Sequence, residues 1–502
     1  MGGMRRRAVA AVLGVVAAAA TSATGQTLSL DLNRAAYRAG DRLELSATTT
    51  AGEAGTAVDV YIGFIVPGGG SFYLTGALDL ASMPEPVAAA LELPDFQGPV
   101  LSLELPQLPA GRYSAFGFLT APDAGVGAAF SESAVDFSFG TVSFDRFVTL
   151  GDSLTHATME AQFNLLTQPF GFAPLVAAAM KAPFPLPLVD LDGRRIDPAV
   201  ITPNLGVNGA DTGDVLRTRS DAVSAEQIDS AEDSVFFPRI GSQIELAEQL
   251  DPTFVLLWIG NNDVLGAILA VGELDASQLT PLAEVERDYD AITARLAATG
   301  ATVAVANIPD VTSIAFVSDG ARFGLPPGSL VPTVLALLAD RALISPFVLL
   351  LPEFNLSPAE ANLIQSRIDG INAIIAATAA RHGFVLLDTH GRYQQAAQSG
   401  EQVGPYALTT EFFGGIFSLD GVHPGYTGAA LTANFIIERL NATLGTALPA
   451  VDIEAVAEID PSVDHDGDGF VTGLGFARAL LIQFGIDPDL FLDPDDNDPS
   501  VP

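Results

Sequence analysis

A serine stands directly after a mostly apolar run in the middle of the chain, in Gly151-Asp152-Ser153-Leu154. The run, Phe147 to Leu150, is typical of a strand buried on both faces, and a helix is predicted to start after the serine. A glycine allows a sharp turn, and a helix N-terminus directs free N–H groups at a developing oxyanion. This pattern favours a nucleophilic role for Ser153, although serine is also an ordinary N-cap residue.

A serine hydroxyl needs a base with a pKa near neutrality, and imidazole is the natural choice. Of the five histidines in the sequence, His423 follows an aspartate, Asp420, by three residues. This spacing lets the carboxylate bond one ring nitrogen while the other ring nitrogen faces a hydroxyl. Asp-x-x-His also arises by chance, and among the other histidines His390 could approach the site from the end of a predicted strand.

Two further segments offer hydrogen-bond donors for an oxyanion. Residues 204–209 form a turn-rich loop, in which the N–H of Gly209 is the expected donor and Gly206 is the alternative. Asn262 follows the apolar run Phe254 to Ile259, so its side-chain amide would project from the tip of that strand. Ligands of parallel sheets sit at the carboxyl ends of the strands, where these segments are predicted to meet. Each segment is otherwise an ordinary loop turn.

Taken together and in this order, the four segments resemble the sequence blocks of the GDSL or SGNH hydrolase family of esterases and lipases. In chain order the blocks match residues 151–154, Gly209, 260–263 and 420–423. The resemblance implies a flavodoxin-like three-layer α/β/α domain with Ser153, Gly209 and Asn262 around the oxyanion. It also implies a Ser-His-Asp triad and an acyl-enzyme intermediate, with no cofactor for catalysis.

The sequence pattern predicts four consecutive segments. Residues 1–25 carry arginines, an apolar run of about 13 residues and small residues, which indicate a signal peptide rather than a membrane anchor. Residues 26–143 contain short alternating runs typical of an antiparallel β-sandwich, which either binds something or holds the next domain. In residues 144–446, the hydrolase domain, apolar runs alternate with helical stretches, which predicts a parallel sheet in an α/β fold. Residues 447–502 form a small acidic segment.

Composition excludes several classes of protein. Nearly half of the 502 residues are hydrophobic and 17% are charged, which indicates a folded chain with large cores. The net charge of -37 opposes binding to nucleic acids and anionic lipid surfaces, and it suits a salty environment. The absence of cysteine excludes disulfides, thiolate chemistry and lipoprotein attachment. We expect a secreted protein, extracellular or periplasmic, with no transmembrane segment after signal cleavage; its oligomeric state stays open.

The acidic end contains a pattern that indicates a calcium loop. The oxygen ligands of its first nine positions would come from Asp464, Asp466, Asp468, the Phe470 backbone and Thr472, with the required glycine at position six. The twelfth position is Gly475 instead of a bidentate glutamate. The segment therefore resembles EF-hand-like or thrombospondin-type Asp-rich repeats, which implies a structural Ca²⁺; the alternative is a solvated acidic turn.

The leading hypothesis from the sequence is a secreted ester hydrolase whose substrates are small-molecule or lipid acyl esters. The preference for lipid esters depends on the apolar stretch 323–351, which is either a cap lining an acyl pocket or another core helix. Two alternatives remain: a carbohydrate O-deacetylase of the same fold, and a non-catalytic surface adhesion protein. The intact serine, aspartate and histidine argue against the adhesion protein.

Overall fold

The computed structural model describes residues 25–52, 55–140, 142–270, 274, 276–467 and 471. The described residues divide into two compact units. One unit extends to Phe144 and includes Leu440–Pro449, and the other comprises Asp145–Arg439 and the described residues from Ala450 onward. The predicted signal peptide lies outside the described residues except for Gly25.

Two antiparallel sheets make up the first unit. A three-stranded sheet has the order β1-β3-β8, and a seven-stranded sheet has the order β2-β10-β9-β4-β5-β6, with β7 paired to β4. The strands are β1 (Thr27–Leu32), β2 (Ala36–Tyr37), β3 (Arg42–Thr50), β4 (Ala57–Ile65), β5 (Ser71–Leu74), β6 (Leu80–Ala81), β7 (Ala88–Glu92), β8 (Phe96–Glu104), β9 (Gly111–Thr120) and β10 (Ser131–Phe139).

Period-two alternation explains how these two sheets pack. In β1 every second residue is buried, so Leu28, Leu30 and Leu32 face inward while the residues between them are exposed. The same core contains Leu43 and Leu45 of β3 with aliphatic and aromatic side chains of β4, β9 and β10. A strand with one buried face requires this alternation. The predicted N-terminal β-rich region is therefore confirmed.

A parallel sheet forms the centre of the second unit. Its strands are β11 (Phe147–Gly151), β14 (Phe254–Trp258), β15 (Thr302–Ala306) and β18 (Val385–Leu387), in that spatial order. On the outer side of β11, residues 203–207 add a parallel segment through hydrogen bonds to Thr149 and Gly151. The spatial order 2-1-3-4-5 is that of flavodoxin-like folds, whose ligands bind between the first and third strands. The predicted α/β fold class is confirmed.

Helices and short hairpins surround this sheet. The helices are α1 (Ser153–His156), α2 (Phe172–Met180), α3 (Asp214–Arg217), α4 (Ala231–Phe236), α5 (Gln243–Gln249), α6 (Asn262–Leu269), α7 (Leu282–Ala298), α8 (Thr333–Asp340), α9 (Pro358–His382), α10 (Thr389–Ser399), α11 (Tyr426–Leu444) and α12 (Ile453–Ala457). The hairpins pair β12 (Arg219–Ser220) with β13 (Gly241–Ser242), β16 (Val317–Asp319) with β17 (Leu330–Pro332), and β19 (Glu401–Val403) with β20 (Tyr406–Leu408). None of the described helices is long and apolar enough to cross a membrane.

The apolar stretch 323–351 builds a small core of its own. Val331, Leu335 and Leu338 are buried there together with Leu349. Just before this stretch, the Phe316 N–H donates to the Gly421 carbonyl at 2.8 Å and so connects the preceding segment to the loop that carries Asp420. The only α-helix in the stretch is the short α8, and its Phe347 and Leu351 are 75% and 48% exposed, so the stretch is not the core helix that the sequence offered as one alternative.

Candidate active site

The turn after β11 presents Ser153 at the carboxyl end of the sheet. Ser153 is the first residue of α1 and is 5% exposed. Gly151 allows this arrangement because a Cβ at that position would lie 2.2 Å from Thr155 Oγ1 and 2.4 Å from the Trp258 carbonyl oxygen. The strand that ends in this glycine pairs with β14, so the serine lies beside the loop that follows β14.

Ser153, His423 and Asp420 form a continuous chain of hydrogen bonds. His423 Nε2 lies 2.9 Å from Ser153 Oγ, and His423 Nδ1 lies 2.7 Å from Asp420 Oδ2. A carboxylate accepts only from a protonated nitrogen, so this geometry favours the tautomer with hydrogen on Nδ1 and a free lone pair on Nε2. The arrangement is suited to removing the proton of the serine hydroxyl.

The Asp420 carboxylate is buried and accepts four hydrogen bonds. Its Oδ1 accepts from the N–H groups of Val422 and His423, each at 2.8 Å, and its Oδ2 accepts from Ala161 N–H at 2.7 Å besides the imidazole. Burial raises the pKa of Asp420, but the charge of His423 and the hydrogen bonds from His423 and Val422 lower it by more, so the pKa lies below its usual value. Asp420 is therefore ionised at neutral pH.

A second carboxylate, Asp152, joins the serine turn to the loop after β14. Its Oδ1 accepts from Leu154 N–H at 3.0 Å, and its Oδ2 accepts from Asn261 Nδ2 at 2.8 Å. Asp152 is fully buried, and this burial raises its pKa to about 6 even though the hydrogen bond from Asn261 lowers it. Asp152 and Asn261 belong to two of the sequence blocks that match the family, 151–154 and 260–263. The pattern of these blocks alone does not predict that the two residues contact each other.

The predicted oxyanion donors lie on neighbouring loops. Asn262 Nδ2 donates to the Ala210 carbonyl at 2.8 Å, which leaves its second hydrogen for another acceptor and holds the loop of Gly209 beside it. Gly209 has a φ of +80°. Within the described residues, neither the N–H of Gly209 nor the N–H of Ser153 makes a hydrogen bond. The N–H of Gly206 points instead at Asn204 Oδ1, 3.4 Å away.

A cleft with about 460 Å³ of empty volume opens over these residues. It is lined by Ser153, Leu154, Asn261, Asn262, Leu265, Pro309, Val311, Ile314, Tyr393, Phe417, Val422, His423 and Pro424. The reactive groups occupy one part of the lining, and most of the remaining side chains are apolar. No residue of 323–351 lines this cleft, whose apolar side chains come from several other segments, among them Leu265, Val311 and Phe417.

His390, which the sequence offered as an alternative base, and His156, which follows Ser153 by three residues, have different surroundings. His390 Nδ1 lies 3.2 Å from the Ile308 carbonyl and outside the cleft lining. His156, on α1, is fully buried against the Phe163 ring, and its two ring nitrogens have no hydrogen-bond partner among the described residues. Burial, assisted by the charge of Arg195, lowers the pKa of His156 to about 4, so the ring is neutral at neutral pH.

The predicted calcium loop is described only in part. Asp464 and Asp466 belong to the described residues, and Asp464 Oδ1 accepts from Gly467 N–H at 2.7 Å. Asp468, Phe470 and Thr472 lie outside the described residues. Calcium binding stays a prediction.

Comparison with known proteins identifies the family. Residues 147–436 match the family model described as GDSL-like Lipase/Acylhydrolase. Because this match covers more than half of the 502 residues, the chain belongs to that family. The predicted resemblance to GDSL or SGNH hydrolases is confirmed. No curated protein matches the chain.

Two solved structures illustrate what this chain is similar to. LAE5, an alpha/beta hydrolase enzyme from the metagenome of Lake Arreo, Spain, is 17% identical, with a TM-score of 0.31 over 59% of this chain and 95% of its own. Axe2, an acetylxylan esterase from Geobacillus stearothermophilus, is 12% identical, with a TM-score of 0.30 over 60% of this chain and 95% of its own.

Proposed function

We propose that this protein is a secreted serine esterase in which Ser153 is the nucleophile, His423 the general base and Asp420 its carboxylate partner. The observation that carries the proposal is the unbroken chain of hydrogen bonds from Ser153 Oγ through the imidazole to the Asp420 carboxylate, 2.9 Å and 2.7 Å long. Membership in the GDSL-like family supports the same conclusion. Secretion is proposed from the N-terminal sequence alone.

Acylation begins when Ser153 Oγ attacks the carbonyl carbon of the ester and His423 Nε2 takes the hydroxyl proton. The buried, ionised Asp420 stabilises the imidazolium that forms. The Ser153 N–H, the Gly209 N–H and the second Asn262 Nδ2 hydrogen are proposed to stabilise the oxyanion, since all three are free to donate.

The tetrahedral intermediate collapses when the bond to the leaving oxygen breaks and His423 returns its proton to that alcohol. A water molecule then attacks the acyl-serine carbonyl, and His423 takes one proton from the water and delivers it to Ser153 Oγ. The acid is released and the hydroxyl is restored, so no cofactor is consumed in the cycle.

The lining of the cleft supports apolar acyl esters as substrates. Leu265, Val311 and Ile314 contribute aliphatic surface to the cleft that Ser153 also lines, and Phe417 contributes an aromatic ring. Such a wall gains free energy by burying methylene groups, whereas a carbohydrate ester needs polar partners for its hydroxyls. We therefore favour lipid or other acyl esters over a carbohydrate O-deacetylase.

A chain-length series of p-nitrophenyl esters tests this proposal. We expect turnover of butanoate or octanoate to exceed that of acetate, and Ser153→Ala to abolish turnover of every ester without changing the unfolding transition. A preference for acetate would favour the deacetylase. Unchanged turnover in the Ser153→Ala variant would contradict the nucleophile assignment itself.

A further inference from the structure

Glu160 and Ala161 adopt a backbone conformation that L-amino acids rarely take. Their φ angles are +54° and +56°, in the left-handed region. In the part of the chain that the structure describes, no other two consecutive non-glycine residues share this conformation. It costs free energy at each residue, because the Cβ approaches the carbonyl oxygen too closely.

These two residues form the tip of a tight hairpin. The N–H of Met159 donates to the Gln162 carbonyl and the N–H of Gln162 donates back to the Met159 carbonyl, each at 2.8 Å. A two-residue loop with positive φ at both positions is a type I′ turn, which usually contains Asn-Gly or Asp-Gly. Glu-Ala has no such preference. Local sequence therefore does not account for the turn, and strain of this kind is typical of functional sites.

The turn directs its two N–H groups at the loop that carries Asp420. Ala161 N–H donates to Asp420 Oδ2 at 2.7 Å, and Glu160 N–H donates to Ser418 Oγ at 3.0 Å. Of the four hydrogen bonds that the Asp420 carboxylate accepts, the other three come from Val422 and His423. Ala161 is thus the donor that connects the Asp420 carboxylate to the segment that follows Ser153.

We infer that the Glu160-Ala161 turn is a positioning element that holds Asp420, and through it His423, in line with Ser153 for proton transfer. The inference rests on the proposed function. The Ala161 N–H orients the carboxylate, and the bond from Glu160 to Ser418 fixes the turn against the same loop. The turn touches no reacting atom and acts only through Asp420.

Replacing the residue Ala161 with lactic acid tests this directly, because the resulting ester linkage removes the N–H and keeps the side chain. A hydrogen bond to a charged group is lost, so we expect kcat to fall by about tenfold to a hundredfold while KM changes by less than about twofold. Ala161→Gly keeps the N–H and removes the strain, and it should keep kcat within about twofold while resisting denaturation better.

Ala90 provides a matched control. It also has a positive φ, +47°, and its N–H also donates to a carboxylate, Asp59 Oδ1, at 2.8 Å, in the β-sandwich unit. The same ester substitution at Ala90 should lower stability and leave kcat unchanged. Equal losses of kcat in the two ester variants, or an unchanged kcat in the Ala161 ester, would overturn the inference.

The proton between His423 Nδ1 and Asp420 gives a readout that does not depend on activity. We expect its low-field NMR resonance to move in the Ala161 ester and to stay in place in the Ala90 ester. If the wild-type protein hydrolyses no ester but the resonance moves, the proposed function fails and the positioning role stands. If the wild type is active and neither kcat nor the resonance changes, the positioning role fails.

Discussion

At the scale of single residues, the side-chain amide of Asn262 is held in one orientation, so the effect of removing it can be measured. It begins α6, four residues after the end of β14, and one hydrogen of its side-chain amide is already bound to the Ala210 carbonyl. The amide cannot rotate without breaking that bond, so its second hydrogen keeps one direction. A donor held in this way stabilises an oxyanion without reorganising during the reaction.

Asn262→Ala should therefore lower kcat by roughly a hundred- to thousandfold, as the loss of one oxyanion donor does. Steady-state kinetics on one p-nitrophenyl ester measures this. Asn434→Ala is a matched control, because Asn434 Nδ2 also donates to a backbone carbonyl, that of Val451 at 2.9 Å, and lies outside the cleft lining. A loss below about threefold for Asn262→Ala would mean that Asn262 is not a donor.

His156 links the pH of the medium to stability. Its pKa is about 4 in the folded protein, against an ordinary value of 6.5, so the unfolded chain binds the proton more tightly. The free energy of unfolding must then decrease as the pH falls from 6.5 to 4, and this contribution stays constant above and below that window. The difference in pKa corresponds to about 3 kcal/mol for a fully buried ring.

We expect His156→Phe to remove this contribution. Urea unfolding at pH 7 and pH 4 should show a smaller loss of stability in the variant than in the wild type, by up to about 3 kcal/mol. His382→Phe is the control, because His382 also lies against a phenylalanine ring but is partly exposed. Equal losses in the wild type and the His156→Phe variant would show that the buried imidazole is not responsible.

The sequence predicted most of the residues that lie together at the candidate active site. It did not predict the hydrogen bonds that hold these residues in place. Ser153, Asp420 and Asn262 each follow a local pattern, a strand end or a fixed spacing, and the structure brings them together. The donation from Ala161 to Asp420 joins residues 259 positions apart and has no local signature. Only the folded chain reveals it, and the catalytic roles themselves remain predictions.

At the scale of secondary-structure elements, the start of the segment after β15 supplies much of the cleft wall. Val311 and Ile314 line the cleft and are 4% and 7% exposed. The more apolar stretch that follows, with Leu335 equally buried at 7%, packs into its own cluster. Hydrophobicity along the chain predicted burial only in part, since Phe347 and Leu351 of that stretch are 75% and 48% exposed, and it could not tell which buried side chains line the cleft.

Ile314→Ala should enlarge the cleft and shift the preference toward longer acyl chains. One methylene in an apolar pocket changes specificity by about tenfold or more, so the ratio of kcat/KM for dodecanoate over butanoate should rise by about that factor. Leu335→Ala also removes part of a buried aliphatic side chain, but it does so away from the cleft. It should therefore lower stability without altering the ratio. An equal shift in both variants would count against Ile314 as a wall of the acyl site.

The described part of the acidic end supports the helix that follows His423. Asp460 is 1% exposed, and its Oδ2 accepts from Thr427 N–H at 2.7 Å in the first turn of α11. A carboxylate at a helix N-terminus accepts a hydrogen bond from a free N–H group and interacts favourably with the helix dipole. The sequence indicated a calcium-binding unit here but gave no sign of this contact, which depends on residues 33 positions apart.

At the scale of the whole molecule, the net charge of -37 shapes the conditions under which the protein is stable. Self-repulsion of such an excess destabilises the compact state and is screened by salt. We expect the melting temperature to rise by several degrees between low salt and 1 M NaCl. A melting temperature that stays constant or falls would contradict this.

A comparison of calcium with sodium distinguishes the screening of surface charge from the binding of a Ca²⁺ ion. At matched ionic strength, millimolar CaCl₂ should raise the melting temperature more than NaCl does if the loop that begins at Asp464 binds Ca²⁺, because a ligand of the folded state stabilises by mass action. Equal effects of the two salts would leave screening as the whole explanation and would contradict the predicted calcium site.

We propose above all that Ser153 is a nucleophile activated by His423, and labelling with a fluorophosphonate addresses this proposal in a single measurement. We expect one covalent adduct per chain, located on Ser153 by peptide mass spectrometry, absent in Ser153→Ala and formed far more slowly in His423→Ala. An adduct on a different residue, or ester hydrolysis that continues while Ser153 stays unlabelled, would contradict it.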